Sequence, residues 1–246
     1  MFQKRIDNIS TCFSLSPDML FLYQILGFCL FPILRILAFF HPHPQGRKFL
    51  AVRKESKQKL QSIPTPQSDT QVFWLHGASV GELDQCNALV KVLREKYPKV
   101  FILQSVFSLS VSEKQLEKTG ADATFFLPID LPFTYNFIFH KFQPSHLFLA
   151  AWDTWPNLLL SAKKYSCESF LFCATLNDNS GRKKGLAKKL TKQTLQLLSG
   201  ISPTHEMYLQ TFQELTDNKV PTKVCGDSRF DSVAARIESQ QAHQHV

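Results

Sequence analysis

The sequence predicts an α/β domain built on a Rossmann-like, mostly parallel sheet with helices on both faces, and three observations carry that expectation. From residue 72 onward, short apolar runs alternate with longer segments of helical periodicity, the pattern of successive βαβ units. One run, Val72-Phe73-Trp74-Leu75, passes through His76-Gly77-Ala78-Ser79-Val80-Gly81-Glu82-Leu83 into an amphipathic segment ending near Lys96, so a strand enters a helix through two glycines. A chain of 246 residues with 44% hydrophobic content can also bury a sizeable core.

Taken in order, residues 1–45 form an N-terminal segment around one strongly apolar stretch, Met19 to Phe40, interrupted by Gln24, Pro32 and Arg35. Crossing a bilayer needs about 20 predominantly apolar residues, so this stretch reads as a membrane-associated helix. A buried core helix and a helix lying in the interface are the competing readings. Residues 46–70 read as a basic juxtamembrane segment and linker, carrying Arg47, Lys48, Arg53, Lys54, Lys57 and Lys59 before a stretch with Pro64 and Pro66. That charge bias places the following domain on the cytoplasmic side of the membrane.

Residues 71–231 form the α/β domain. Strands are expected near Val72–Leu75, Val100–Gln104, Ala123–Leu127, His146–Ala151, Ser169–Ala174 and Gly200–Ser202. Helices are expected near Glu82–Lys96, Ser110–Lys118, Phe133–Phe142, Pro156–Lys164, Lys184–Leu198 and Thr204–Leu215. Residues 232–246 are a polar tail.

Composition narrows the function. The 28 Lys+Arg against 20 Asp+Glu give a net charge of +8, with a second basic cluster from Arg182 to Lys192, and point to an anionic partner. No zinc-finger spacing, RNP-like aromatic string or arginine-rich arm favours nucleic acid, so anionic lipid headgroups fit better. The six cysteines, Cys12 among them, form no C-x-x-C pair or metal-ligand spacing. Mostly buried thiols in a reducing compartment, no metal and no cofactor are therefore expected.

In such a sheet ligands bind at the carboxyl ends of the strands, which puts the loops at 77–82, 105–110, 127–132, 152–155 and 175–180 on one rim. Glu82, where the helix dipole favours a carboxylate, can serve there as a general base. The competing use is a capping box, with Ser79 at the N-cap and Glu82 its partner three residues on.

Five strings, in order, resemble those of the 3-deoxy-D-manno-octulosonic acid (Kdo) transferases. Residues 76–82 resemble H-A-A-S-V-G-E; Leu127-Pro128-Ile129-Asp130-Leu131-Pro132 resembles L-P-Y-D-L-P; Trp155-Pro156-Asn157-Leu158 resembles the end of M-E-T-E-L-W-P-N-L. Residues 174–180 resemble N-A-R-L-S-E-R-S without its first residue, and Gly226-Asp227-Ser228-Arg229-Phe230-Asp231 resembles G-N-L-K-F-D. The resemblance implies the N-terminal, acceptor-side half of a GT-B glycosyltransferase that moves Kdo from CMP-Kdo to a lipid A precursor in lipopolysaccharide biosynthesis, inverting the anomeric carbon. Glu82 matches the family's catalytic base. Ser79, Gly81, Ser108, Ser110, Asp153, Asn177 and Arg182 fall at or near positions expected to contact the acceptor. CMP-Kdo is expected to bind mostly through a second domain, for which a separately encoded C-terminal half is a candidate. The isolated chain is then expected to be inactive.

This sequence departs from the family at several points. E-T-E reads Ala151-Trp152-Asp153, the first arginine of N-A-R-L-S-E-R-S is Thr175, its glutamate is Asp178, and the glycine of T-T-x-T-x-T-G is Val111. Those departures keep a second expectation open, a non-catalytic membrane-associated module that binds an anionic glycolipid.

Overall fold

The computed structural model describes residues 18–40, 43–177 and 179–230; Cys12, Asp178, Asp231 and the 232–246 tail lie outside the described residues. Two helices, α1 (Met19–Phe40) and α2 (Pro44–Ser62), precede the sheet domain. Six strands follow: β1 (Val72–His76), β2 (Phe101–Val106), β3 (Ala123–Phe126), β4 (His146–Ala150), β5 (Glu168–Ala174) and β6 (Gly200–Pro203). They form one parallel sheet in the order β3-β2-β1-β4-β5-β6. Between the strands run α3 (Val80–Lys96), α4 (Glu113–Glu117), α5 (Asn136–Phe142), α6 (Pro156–Lys164) and α7 (Gly185–Leu195), with α8 (Glu206–Thr216) after β6. This is the Rossmann-like arrangement, and the strand order reverses between β1 and β4.

The continuous apolar run of β1 follows from burial on both faces, as expected for a parallel strand with helices on either side. Trp74 points into a core shared with Phe125, Phe139 and Leu158, while Phe73 and Leu75 pack against Cys86, Val90 and Leu93 of α3. The indole of Trp74 has no exposed surface, and its Nε1 donates to Ser105 Oγ at 2.8 Å, so its one polar atom is satisfied.

Two of the sequence strings meet in a single buried junction. Pro156 occupies the first turn of α6, whose N-cap Trp155 supplies no side-chain cap. Asp130 supplies the cap instead: its carboxylate accepts from the backbone N–H groups of Asn157 and Leu158, each at 3.1 Å. The same carboxylate accepts from Tyr135 at 2.9 Å and Tyr23 at 3.0 Å, and Asn157 Nδ2 donates back to the Asp130 carbonyl at 2.8 Å. Burial pushes the Asp130 carboxyl up from its ordinary value, and the hydrogen bonds from Asn157, Tyr135, Tyr23 and Leu158 oppose that shift.

Tyr23 belongs to α1, so the junction also holds the apolar helix. Gln24 Nε2 donates to Asn157 Oδ1 at 3.1 Å, and the backbone N–H of Met19 reaches Gln193 Oε1 of α7 at 2.7 Å. Gln24, one of the residues that interrupt the apolar stretch, therefore faces the domain together with Tyr23. Phe21, Ile25, Phe28, Ile33, Ile36 and Phe40 remain exposed.

Residues 44–62, within the segment expected to be basic juxtamembrane chain and linker, form a helix packed on the domain. Arg53, Ser56 and Leu60 bury one face of α2, and Ser56 Oγ accepts from the Phe126 N–H of edge strand β3 at 3.0 Å. Periodicity missed it because an arginine and a serine occupy positions on its inner face. Arg53 is accordingly not a headgroup contact: its guanidinium lies 3.3 Å from the Phe49 ring centroid and 4.5 Å from that of Phe107. It donates to the carbonyls of Phe49 and Phe107, and burial pulls its pKa down to about 10.

Replacing Asp130 with Ala is expected to destabilise the protein by about 3 kcal/mol, because two helix N–H groups and two buried hydroxyls lose their acceptor. Urea unfolding measures this, and a midpoint within error of the parent would contradict the capping role.

Candidate functional site

The reversal of strand order places the ends of β1 and β4 at one crevice, and a hydrogen-bonded chain fills it. His76, the last residue of β1, is fully buried; its Nε2 lies 2.9 Å from Asp153 Oδ2 and its Nδ1 lies 2.8 Å from Ser105 Oγ. Where Asp153 is ionised, Nε2–H donates to it and Nδ1 accepts from the Ser105 hydroxyl, whose oxygen accepts from Trp74 Nε1. The arrangement has the order of a Ser-His-Asp triad but not its chemistry, since Ser105 is sealed in the core beneath Trp74. What it does is fix the direction of Asp153, whose side chain keeps 18% exposure at the rim. Trp155 Nε1 lies 3.3 Å from His76 Nε2, and in this tautomer the indole N–H has no lone pair to meet there.

Glu82 stands at the third position of α3, and both candidate uses of the S-x-x-E spacing bear on it. Ser79 is the N-cap; its backbone N–H donates to Glu82 Oε2 at 3.0 Å and its hydroxyl donates to the same oxygen. Oε1 makes no hydrogen bond among the described residues. One oxygen is therefore anchored and the other is available to take a proton. One turn further on, the buried Cys86 thiol is pushed up first by desolvation and also by the charges of Glu82 and Asp153, so both carboxylates act on the same region.

The two glycines of the octet differ. A Cβ on Gly77 would lie 2.7 Å from the Glu82 backbone carbon, so the strand end and the helix start can approach only without a side chain. A Cβ on Gly81 would meet nothing within 4 Å. Gly81 is exposed in the first turn beside Glu82 and leaves that approach open.

The remaining expected site residues divide. Ser108 and Ser110 share a hydrogen bond of 2.8 Å on the loop after β2, which is tied to the octet by Ser108 N–H donating to the Ala78 carbonyl at 2.7 Å. Arg182 joins the rim: its Nη1 donates to the Trp152 carbonyl at 3.0 Å and its guanidinium lies 4.6 Å from the Trp152 ring centroid. Asn177 has a local partner, its side-chain oxygen accepting from the Asn179 N–H in a turn. The loop at 127–132 carries the capping Asp130 rather than a free functional group. Val111, in the glycine's place, is buried with Leu83 and Leu116, so packing holds that loop. Ala151 has φ of 55°, a conformation that costs a residue with a Cβ, directly before Trp152 and Asp153.

Sequence reasoning gave His76 no role, since spacing alone assigns a strand-end histidine no partner. Asp227 and Arg229 were also missed as rim groups. Gln85 Nε2 donates to Asp227 Oδ1 at 3.0 Å, and Arg229 Nε donates to Asp227 Oδ2 at 2.8 Å. Partial burial would raise the Asp227 carboxyl, but the bonds from Arg229 and Gln85 outweigh it and hold it below its usual range. The only signal for this contact was the last of the five strings.

Gly77→Ala is expected to lower stability by roughly 1–3 kcal/mol through overpacking against the Glu82 backbone, whereas Gly81→Ala should be neutral or stabilising by up to about 1 kcal/mol. Thermal melts of the two variants test this, and equal effects would contradict the assigned close approach.

Comparison with known proteins agrees with this geometry. A family model described as 3-Deoxy-D-manno-octulosonic-acid transferase (kdotransferase) matches residues 54–232. Curated 3-deoxy-D-manno-octulosonic acid transferases include one from Chlamydia muridarum, 27% identical over 62% of this chain and 36% of its own length. Those from Haemophilus influenzae (26% identical, 69% of this chain, 39% of the relative) and Rickettsia bellii (28%, 80% and 46%) are also similar. The chain thus spans less than half the length of these relatives. Among solved structures, the UDP-GlcNAc 2-epimerase of Neisseria meningitidis superposes with a TM-score of 0.53 at 13% identity, over 71% of this chain and 51% of that one, and shares the fold. With the family match running from α2 through the last of the five strings, this chain belongs to the 3-deoxy-D-manno-octulosonic-acid transferase (kdotransferase) family.

Proposed function

We propose that this chain is the acceptor-side domain of an inverting transferase that moves Kdo from CMP-Kdo to a lipid A precursor, with Glu82 as the general base. The observation that carries this assignment is the half-anchored Glu82 carboxylate on the carboxyl-end rim of a domain matched to the Kdo transferase family. An acceptor hydroxyl oxygen forms the new bond to the anomeric carbon while Glu82 Oε1 takes its proton. The bond from that carbon to the CMP phosphate breaks, and CMP leaves with the electron pair. The cap becomes part of the mechanism, because holding Oε2 on Ser79 leaves Oε1 little reorganisation before proton transfer. Asp153, directed by His76, arranges the acceptor, and Ser79, Gly81, Ser108, Ser110 and Arg182 border its path. Donor binding is assigned to residues outside the described domain, on this or another polypeptide.

The Trp152–Arg182 stack favours a second reading, in which the domain binds an anionic glycolipid without transferring sugar. Trp152, in a string that departs from the family pattern, meets Arg182 there, and neither side chain restores the carboxylate replaced by Ala151.

The two readings separate in a transfer assay with CMP-Kdo and lipid IVA, run with a donor-binding half. Glu82→Gln is expected to lower turnover about 10²-fold or more, with stability nearly unchanged because the amide oxygen still accepts from Ser79. Asp153→Asn should raise KM for the acceptor more than it lowers kcat. Full turnover by Glu82→Gln would leave Ser79 and Glu82 as a capping box alone, and binding without transfer in every combination would support the second reading.

We further propose that α1 attaches the protein to the cytoplasmic face of the inner membrane while lying in the interface. Its first two turns are bonded to α6 and α7, and Phe28–Phe40 provides only about 20 Å of helix at 1.5 Å per residue, short of a hydrocarbon core of about 30 Å. The exposed face of α1 and the basic residues of α2 and α7 suit an anionic leaflet. The chain should sediment with membranes, and the double variant Phe28→Glu, Ile36→Glu should become soluble. Equal partitioning of the two would contradict attachment through α1.

A further inference from the structure

Beside the polar crevice, α1, α2 and the rim loops enclose a groove of about 690 Å³, within the range of roughly 300–1,000 Å³ usual for small-ligand sites. Its walls are Leu26 and Leu30 of α1, Leu50 of α2, and Phe107, Ile129 and Trp155 from the rim. Leu26, Leu30 and Leu50 are 47%, 50% and 42% exposed, a costly placement for three leucines facing one another unless apolar matter covers them. Arg35 and Arg47 line the same groove, and neither has a carboxylate partner among the described residues.

The groove and the crevice share a wall. The Trp155 and Phe107 rings lie 4.6 Å apart between centroids, and the other side of Trp155 places its indole nitrogen 3.3 Å from His76 Nε2. A molecule with an apolar tail on one side of Trp155 and polar groups on the other would occupy both.

We infer that this groove holds one acyl chain of the anionic lipid acceptor, with Arg35 and Arg47 meeting negative groups at its mouth. The inference rests on the proposed acceptor-side function and extends it: the tail, not only the sugar, is recognised, and α1 and α2 form part of the acceptor site. The groove suits an uncharged lipid less well, because two guanidinium groups without a carboxylate partner among the described residues border it. Nor does it suit a membrane-embedded patch, because it is concave and roofed by two helices rather than flat.

Quenching of Trp155 tests this without any sugar transfer. The full-length chain is titrated, below the critical micelle concentration, with a lysophosphatidic acid carrying a dibrominated acyl chain, and in parallel with the uncharged monoacylglycerol bearing the same chain. Saturable quenching by the phosphate-bearing lipid is expected, and Trp155→Phe should remove the quenched component. Gly27→Phe, which projects toward Leu131 across the groove, should weaken binding about tenfold or more, and Ile129→Asn on the opposite wall serves if that variant does not fold. Arg35→Ala and Arg47→Ala should each weaken the charged probe about fivefold while leaving the uncharged one unchanged. Non-saturable quenching, or equal affinity for both probes in all variants, would overturn the inference. In the transfer assay, an unchanged acceptor KM in folded Gly27→Phe would overturn the groove while leaving the transferase reading intact. Saturable binding without transfer would support the groove while counting against the transferase reading.

Discussion

The buried carboxylate of Asp130 is the interaction on which the rest of this architecture depends. It closes the start of α6, holds Tyr135 at the entry to α5, and receives the Tyr23 hydroxyl of α1. A helix whose first turn contains proline and whose N-cap is a tryptophan has no local means of satisfying its leading N–H groups, so the cap must come from another loop. That requirement joins two distant strings of sequence, 127–132 and 155–158, and brings the loop after β4 to a fixed position. Trp152, Asp153 and Trp155 all stand on that loop, so the rim owes its shape to a contact that takes no part in its chemistry.

The strings that mark the family thus serve two physical purposes. The pair joined by Asp130 is structural, whereas the octet at β1 and α3 supplies both structure and reactive groups. Gly77 admits the close approach, Ser79 and Glu82 close the helix start, and the remaining oxygen of Glu82 makes no hydrogen bond among the described residues. Capping and the proposed base role are compatible here, because a carboxylate held by its own cap is already oriented. His76 performs a comparable service for Asp153 from beneath the rim, so each of the two carboxylates is positioned by a neighbour that is itself tied to the backbone or the core. The stack of Arg182 on Trp152 shows how a departure from the family pattern can still be internally consistent, since Trp152 finds a partner there.

The strands and the helices of the sheet domain were legible because the strands are short, mostly apolar runs, continuous in β1 where both faces are buried, and the helices between them carry a 3.6-residue pattern. The rim followed from the parallel order. The helix over 44–62 was not legible, because Arg53 and Ser56 sit on its inner face and their satisfaction depends on Phe107 and Phe126, far along the chain. His76 escaped notice for the same reason: its partners, Ser105 and Asp153, come from strand β2 and from the loop after β4. Asn177, expected at the site on string resemblance, has its side-chain oxygen bonded to the Asn179 N–H, a local turn contact that Asx residues often make. Of the residues that interrupt the apolar helix, Gln24 is a docking group in the fold, bonded to Asn157 beside the Tyr23–Asp130 contact, whereas Pro32 and Arg35 are exposed.

The central claim is that the acceptor lies along the rim where β1 and β4 diverge, bounded by the octet, the loop after β2 and the loop after β4. Amide hydrogen exchange of the full-length chain, with and without a lipid A precursor, tests it most directly. Protection confined to residues 77–82, 107–110 and 152–155, with little change at the opposite ends of the strands near 97–100 and 143–145, is the predicted result. Protection at those opposite ends, or none at the rim under saturating lipid, would contradict the account.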